Sequence, residues 1–217
     1  AVFMQGNSGA QLLPRFVGCT FRDNYCGNDG GAFSATPTGA GSLLAFVIDS
    51  CDFAGNRADD RGGAVWYRMS NEGESHVRIS NSRFHGNRAG GQGGALFARS
   101  SFGNVAADTL LNCLFTGNAT DGSSAINDGE GGAVFLRASQ SGTRRHLLVN
   151  CIFDGNRASE RGGAVATTSF VSEAGALNAD FINCTFYGNS TQGDGGALHA
   201  EGSQGTNNTN IVNSILR

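Results

Sequence analysis

Apolar residues in this chain come in short runs, each closed by asparagine or glycine. One stretch reads Leu147-Leu148-Val149, then Cys151-Ile152-Phe153, then Ala164-Val165-Ala166. None is long enough for a helix, and within each run alternate residues fall on one face, as in a half-buried strand. Two residues before each turn position stand Phe16, Ile48, Ile79, Leu110, Leu148, Phe181 and Ile211. The third run has its own column, Val2, Phe33, Val65, Leu96, Val134, Val165 and Leu198. The shared parity of these large apolar residues predicts that both columns, with the Cys and Phe of each Cys-x-Phe, point into one core.

The runs belong to one repeated unit: Asn-Cys-x-Phe-x-Gly-Asn-x-Ala, a polar loop, then Gly-Gly-Ala. Its phenylalanines are Phe21, Phe53, Phe84, Phe115, Phe153 and Phe186, spaced by 32, 31, 31, 38 and 33 residues. The asparagines that follow are Asn24, Asn56, Asn87, Asn118, Asn156 and Asn189, and the triplets start at Gly30, Gly62, Gly93, Gly131, Gly162 and Gly195. A unit of this size cannot bury its own core and must stack on its neighbours. Asn81, Asn112, Asn150, Asn183 and Asn213, with Gly18 and Ser50 in the first blocks, fall between two runs, where a left-handed backbone turn is expected. An antiparallel propeller or sandwich would not demand columns of one residue type. The pattern therefore predicts an all-β, right-handed parallel β-helix of about seven coils with three short strands per coil. It forms a single domain over 1–217. Both ends read as fragments of a repeat, so a segment of a longer solenoid is expected.

Composition narrows the partners. Thirty-four glycines with two prolines would suit disorder, but 39% hydrophobic residues including fifteen phenylalanines do not. A net charge of −3 argues against a nucleic-acid partner. No apolar run is long enough to span a membrane. No signal peptide is visible, which leaves export open.

Phe153-Asp154-Gly155-Asn156 with Gly162-Gly163-Ala164-Val165 resembles the repeat of the chlamydial polymorphic outer-membrane proteins. The ending Val212-Asn213-Ser214-Ile215-Leu216 is similar to secreted bacterial β-helix proteins of the pectate-lyase-like superfamily. The first resemblance implies the passenger of an autotransporter adhesin, and hence a secreted or cell-surface setting. The second implies a polysaccharide groove along the third run.

Cys19, Cys51, Cys113, Cys151 and Cys184 share one column, with Ser82 and Ser214 at its other levels; Cys26 lies in a loop. Cys19 and Cys51 stand on adjacent rungs, within disulfide range. The alternative is a column of buried thiols packing as small apolar residues.

The third run also has outward columns. Trp66 with Arg68, Phe97 with Arg99, and Phe135 with Arg137 stand side by side on successive rungs, followed by His199 and Glu201. Stacked arginines repel, and a row of exposed aromatic rings is poorly hydrated, so a ligand is expected to compensate both. An anionic sugar chain would do so, with guanidinium groups on its carboxylates or sulfates and rings on its sugar faces. The competing explanation is that the arginines lie over their own aromatic neighbours. Acidic residues gather in the loops before Gly-Gly-Ala. Asp59, Asp60, Asp128 and Glu130 are the candidates for calcium, the one cofactor considered. A second outward stripe, Leu111, Val149, Ile182 and Val212, is expected to lie under a loop.

These features predict a surface module that binds a polysaccharide or a host or cell-surface glycoprotein. A polysaccharide lyase or glycoside hydrolase on the same face is the alternative. A structural spacer or filament subunit, self-associating through coil ends, is the third reading.

Overall fold

The computed structural model describes residues 2–101, 105–125, 129–170, 176–203 and 205–217. These residues form a parallel β-solenoid of about six turns, with no helix among them. Around each coil the chain visits four sheets. The first is built from the strands after Gly-Gly-Ala, such as Val65–Ser70, and has seven strands in strict sequence order. The second holds the strands before the turn asparagines; it is interrupted in the early rungs and runs as seven continuous residues from Val105–Leu111 onward. The third consists of the Cys-x-Phe strands, again seven. The fourth, of two-residue strands such as Arg57–Ala58, was not anticipated.

Parallel in-register stacking puts like on like. Phe21, Phe53, Phe84, Phe115, Phe153 and Phe186 form one ring stack with centroid separations of 4.6, 4.7, 4.9, 5.0 and 4.8 Å. This matches the spacing of adjacent strands, so each ring packs flat on the next. Beside the stack runs an asparagine ladder inside the coil. The Asn87 side-chain amide donates to Asn118 Oδ1 at 2.9 Å and to the Phe53 carbonyl at 3.0 Å, while the Asn87 backbone N–H also donates to Asn118 Oδ1. The pattern repeats at Asn56, Asn118 and Asn156, all buried. A buried amide is tolerable only when its donors and acceptors are satisfied, which this geometry achieves through the rungs on either side.

The second asparagine column forms the turns between the second and third sheets. Asn81, Asn112, Asn150, Asn183 and Asn213 have φ of 50, 53, 53, 53 and 48°, and Ser50 and Gly18 have 54 and 62°. The Asn112 side chain donates to Asn81 Oδ1 at 3.0 Å, and that of Asn150 to Asn112 Oδ1 at 3.2 Å. This ladder lies in solvent, and glycine already stands at the same position in the first coil. Replacing Asn112 by Gly is therefore expected to change unfolding free energy by no more than about 0.5 kcal/mol, checked by urea denaturation.

The glycine pairs mark the closest approach of coils. Gly93 adopts φ of 68°, and a Cβ on Gly94 would run into the carbonyl oxygens of Gly132 on the next rung and Ala119. The triplet is thus a packing requirement as well as a turn.

All six cysteines are free, Cys19 and Cys51 included. The column requires a small hydrogen-bonding side chain. Cys51 N–H donates to Ser82 Oγ at 3.1 Å, and Cys184 N–H to Ser214 Oγ at 3.0 Å, while Cys19 N–H meets Cys51 Sγ at 3.4 Å. Serine and cysteine alternate here because both accept that bond. Hydrogen bonding to the thiols of Cys113 and Cys184, with burial, pushes the Cys151 thiol well up from its ordinary value.

The second outward stripe is not covered as expected. Leu111, Val149 and Ile182 are half-buried and Val212 is exposed. Among the described residues that corner turns on a single asparagine, which supplies no covering loop.

Candidate functional site

The outer face of the first sheet places three columns side by side. Trp66, Phe97 and Phe135 are in register on adjacent strands, as are Arg68, Arg99 and Arg137. The third column precedes each glycine pair and runs Asp29, Arg61, Gln92, Glu130, Arg161 and Asp194. The strand alternation that sends Val65, Tyr67 and Met69 into the core sends the aromatic and arginine columns out.

The aromatic column points outward yet is not exposed, which corrects the expectation of a bare aromatic row. Trp66 is 6% exposed, and Phe97 and Phe135 are fully buried. Together with Ala166 they form a small second core outside the coil. Neighbouring side chains close it. The Arg61 guanidinium lies 5.8 Å from the Trp66 ring centre and 5.3 Å from that of Phe97, and Arg68 lies 5.9 Å from Trp66. The arginine stems supply apolar cover while their heads stay at the surface. Rings packed in this way cannot offer their faces to a sugar.

Charge is balanced unevenly along the face. Arg61 makes a paired contact with Asp29, Nε to Oδ1 at 2.9 Å and Nη2 to Oδ2 at 2.8 Å, and its Nε lies 3.2 Å from Asp60. At the far end, Arg161 joins Glu130 and Glu201, each at 3.2 Å, and Gln92 donates to Glu130 at 2.7 Å. His199 Nε2 is 3.7 Å from Glu201. Between these clusters, Arg99 has Ser139 Oγ as a hydrogen-bond acceptor at 3.2 Å, and neither Arg68 nor Arg99 pairs with a carboxylate among the described residues. Burial, and then the neighbouring Arg137, Arg68 and Arg61, lower Arg99 to about 10. Arg68 is lowered by burial and by Arg61. The centre of the face is a concentrated positive stripe.

The stripe opens at one end. Ser34 and Thr36 take the places of the aromatic and arginine residues there, leaving a pocket of about 340 Å³ bounded by Phe3, Trp66 and Arg68. A second pocket, about 480 Å³, lies over the loops and is lined by Arg57, Asp59, Asp60 and Ser124. Asp60 accepts from Ser124 at 2.7 Å and Asp59 accepts from the Tyr25 hydroxyl. Asp128 lies outside the described residues. Among the described residues no three acidic, histidine or cysteine side chains come together as a metal group. Glu130, the other calcium candidate, is held by Arg161 and Gln92.

The column that the sequence reading missed is the one before the glycine pairs. Its signal was present in the charge alternation of Asp29, Arg61, Glu130 and Arg161 at one fixed offset from Gly-Gly.

The coil and its outer face are those of a repeat-built β-solenoid. The Chlamydia polymorphic membrane protein repeat matches the chain in three places, residues 81–99, 150–168 and 183–201. Each match runs from a turn asparagine to the residue of the arginine column, which is Arg99, Thr168 or Glu201. The matched repeat therefore specifies the coil, while the chemistry of that outward column varies from rung to rung. Such repeats fit a surface-exposed β-helix module. No curated protein and no solved structure matches the chain. No helix among the described residues is long and apolar enough to cross a membrane.

Proposed function

We propose that this chain is a cell-surface β-helix module that binds an acidic glycan along the outer face of its first sheet. The carrying observation is the stack of Arg68, Arg99 and Arg137 in register, half-buried over a packed aromatic floor, with the first two lacking a carboxylate partner among the described residues. Like charges held at strand spacing raise one another's energy, and an anion threaded along them relieves that repulsion. Guanidinium groups at this regular interval suit a polymer with repeating carboxylates or sulfates. The pocket beside Ser34 and Thr36 gives the polymer room for one sugar residue next to Arg68. Because the rings are covered, recognition is carried by charge and hydrogen bonding rather than by ring stacking.

The acids on the face favour binding over turnover. Asp29 and Asp60 hold Arg61, and Glu130 and Glu201 hold Arg161, so each already anchors an arginine.

Binding should be measured against acidic and neutral polysaccharides at low and high salt. The Arg68→Gln/Arg99→Gln/Arg137→Gln variant keeps much of the aliphatic cover on the rings. Acidic polymers should bind and neutral ones should not, and salt should weaken binding. The variant should lose about a hundredfold in affinity, roughly 1 kcal/mol per arginine, with its unfolding unchanged. Equal binding by the variant would overturn the proposal.

A further inference from the structure

The interior of the coil holds a charged cluster that the surface reading does not use. On the inner face of the second sheet, Asp108 and His146 pair in register, with Arg144 two residues before His146. All three are buried, as are Tyr67 and Ser75 facing them. Asp108 is fully engaged. Its Oδ1 accepts from Ser75 Oγ at 2.9 Å and from Val77 N–H at 3.0 Å; its Oδ2 accepts from the Tyr67 hydroxyl at 3.1 Å. Arg144 Nη2 lies 3.4 Å from that oxygen and His146 Nδ1 3.7 Å from it.

The donors are left over. Among the described residues, none of the three Arg144 nitrogens and neither His146 nitrogen has a hydrogen-bond partner, although both side chains are completely enclosed. The hydroxyls of Ser100 and Ser169, on the inner face of the first sheet, also have no partner among the described residues. They flank Ala138 in one column, and Ala179 follows His146 on the next rung. Beside the Asp108 carboxylate the guanidinium also has the Tyr67 ring, whose centre is 5.4 Å away. Its unused N–H groups still carry a large desolvation penalty, and the neighbouring residues Ala138 and Ala179 are small. The deficit is of acceptors, not donors. Asp108 and Arg144 are the buried charged side chains inside the coil among the described residues, and they cancel. A further negative charge would therefore need a compensating positive one, and His146 is placed to provide it.

We infer that the coil interior takes up one small inorganic anion of halide size, held by Arg144 and His146, together with one proton on His146. Burial and Arg144 hold His146 well below its ordinary value when the site is empty. In that state the unfolded chain binds the proton more readily, so stability falls as pH drops below about 6.5. An enclosed anion raises the histidine and removes that loss. Tyr67, Asp108 and Arg144 are the other titratable groups facing it, and Tyr67 stays neutral in this range because burial and Asp108 push it well up.

The protein should be refolded in sodium bromide and, separately, in sodium gluconate, whose anion is too large to enter. Crystals from bromide should show an anomalous peak within hydrogen-bonding reach of the Arg144 guanidinium. Bromide should raise the unfolding midpoint over gluconate at equal ionic strength by about 3 °C at pH 7.5, and by more at pH 5.5. Arg144→Met should abolish the difference. If that variant does not fold, the anomalous map of the unaltered chain decides alone. No peak near Arg144, or midpoints identical in the two salts, would overturn the inference and leave water as the occupant.

Discussion

Replacing Asn118 by Ala is expected to lower unfolding free energy by about 4 kcal/mol. The loss is large because one side chain serves three rungs. Its amide donates to the Phe84 carbonyl at 2.9 Å and to Asn156 Oδ1 at 3.0 Å, while its oxygen accepts from both the backbone and the side chain of Asn87. Alanine removes all four bonds and leaves buried groups unsatisfied on two neighbouring coils. Asn118→Asp should not rescue it, since a carboxylate accepts but cannot donate, and would carry a buried charge. Urea titration followed by circular dichroism reads the effect. A loss below about 1 kcal/mol, as expected for a turn asparagine, would mean that water replaces the amide.

Phe115→Ala should cost a similar amount, about 4 kcal/mol. The ring is fully buried, stacked between Phe84 at 4.9 Å and Phe153 at 5.0 Å. Its neighbours are fixed to backbones that cannot slide together, because the rung spacing is set by the hydrogen-bonded sheets. The cavity therefore persists, and the penalty should sit at the upper end for a large-to-small change. Phe115→Leu should recover most of the loss by refilling the volume. Equal destabilisation by leucine and alanine would show that ring stacking, not volume, dominates.

Most of the fold was legible because the same side chain recurs wherever the same environment recurs. The left-handed turn at Asn81 and its equivalents, the phenylalanine stack and the inward columns of the first and second sheets all follow from parity and repetition. The fourth sheet was not legible, since two-residue strands such as Arg57–Ala58 are too short to show alternation. The internal asparagine ladder was visible as an invariant residue in all six blocks. Hydropathy, however, gives no reason to bury it; only its position between stacked coils does.

The candidate site was read less completely. Parity identified Trp66, Phe97 and Phe135 as outward, but outward is not exposed: Arg61 reaches over Trp66 and Phe97 from the preceding loop, a contact between separate segments that spacing cannot reveal. Asp108 and His146 share parity with Leu110 and Leu148, so their inward direction was available in the sequence. Charge masked it, since a charged residue in a strand is ordinarily taken to face solvent.

The most direct test of the binding face is a crystal structure of the protein soaked with a short uronic-acid oligomer. The oligomer is expected to lie across the first sheet, with its carboxylates on the guanidinium groups of Arg68 and Arg99 and one sugar residue in the pocket beside Ser34. An oligomer ordered on another face, with these two arginines untouched, would contradict it.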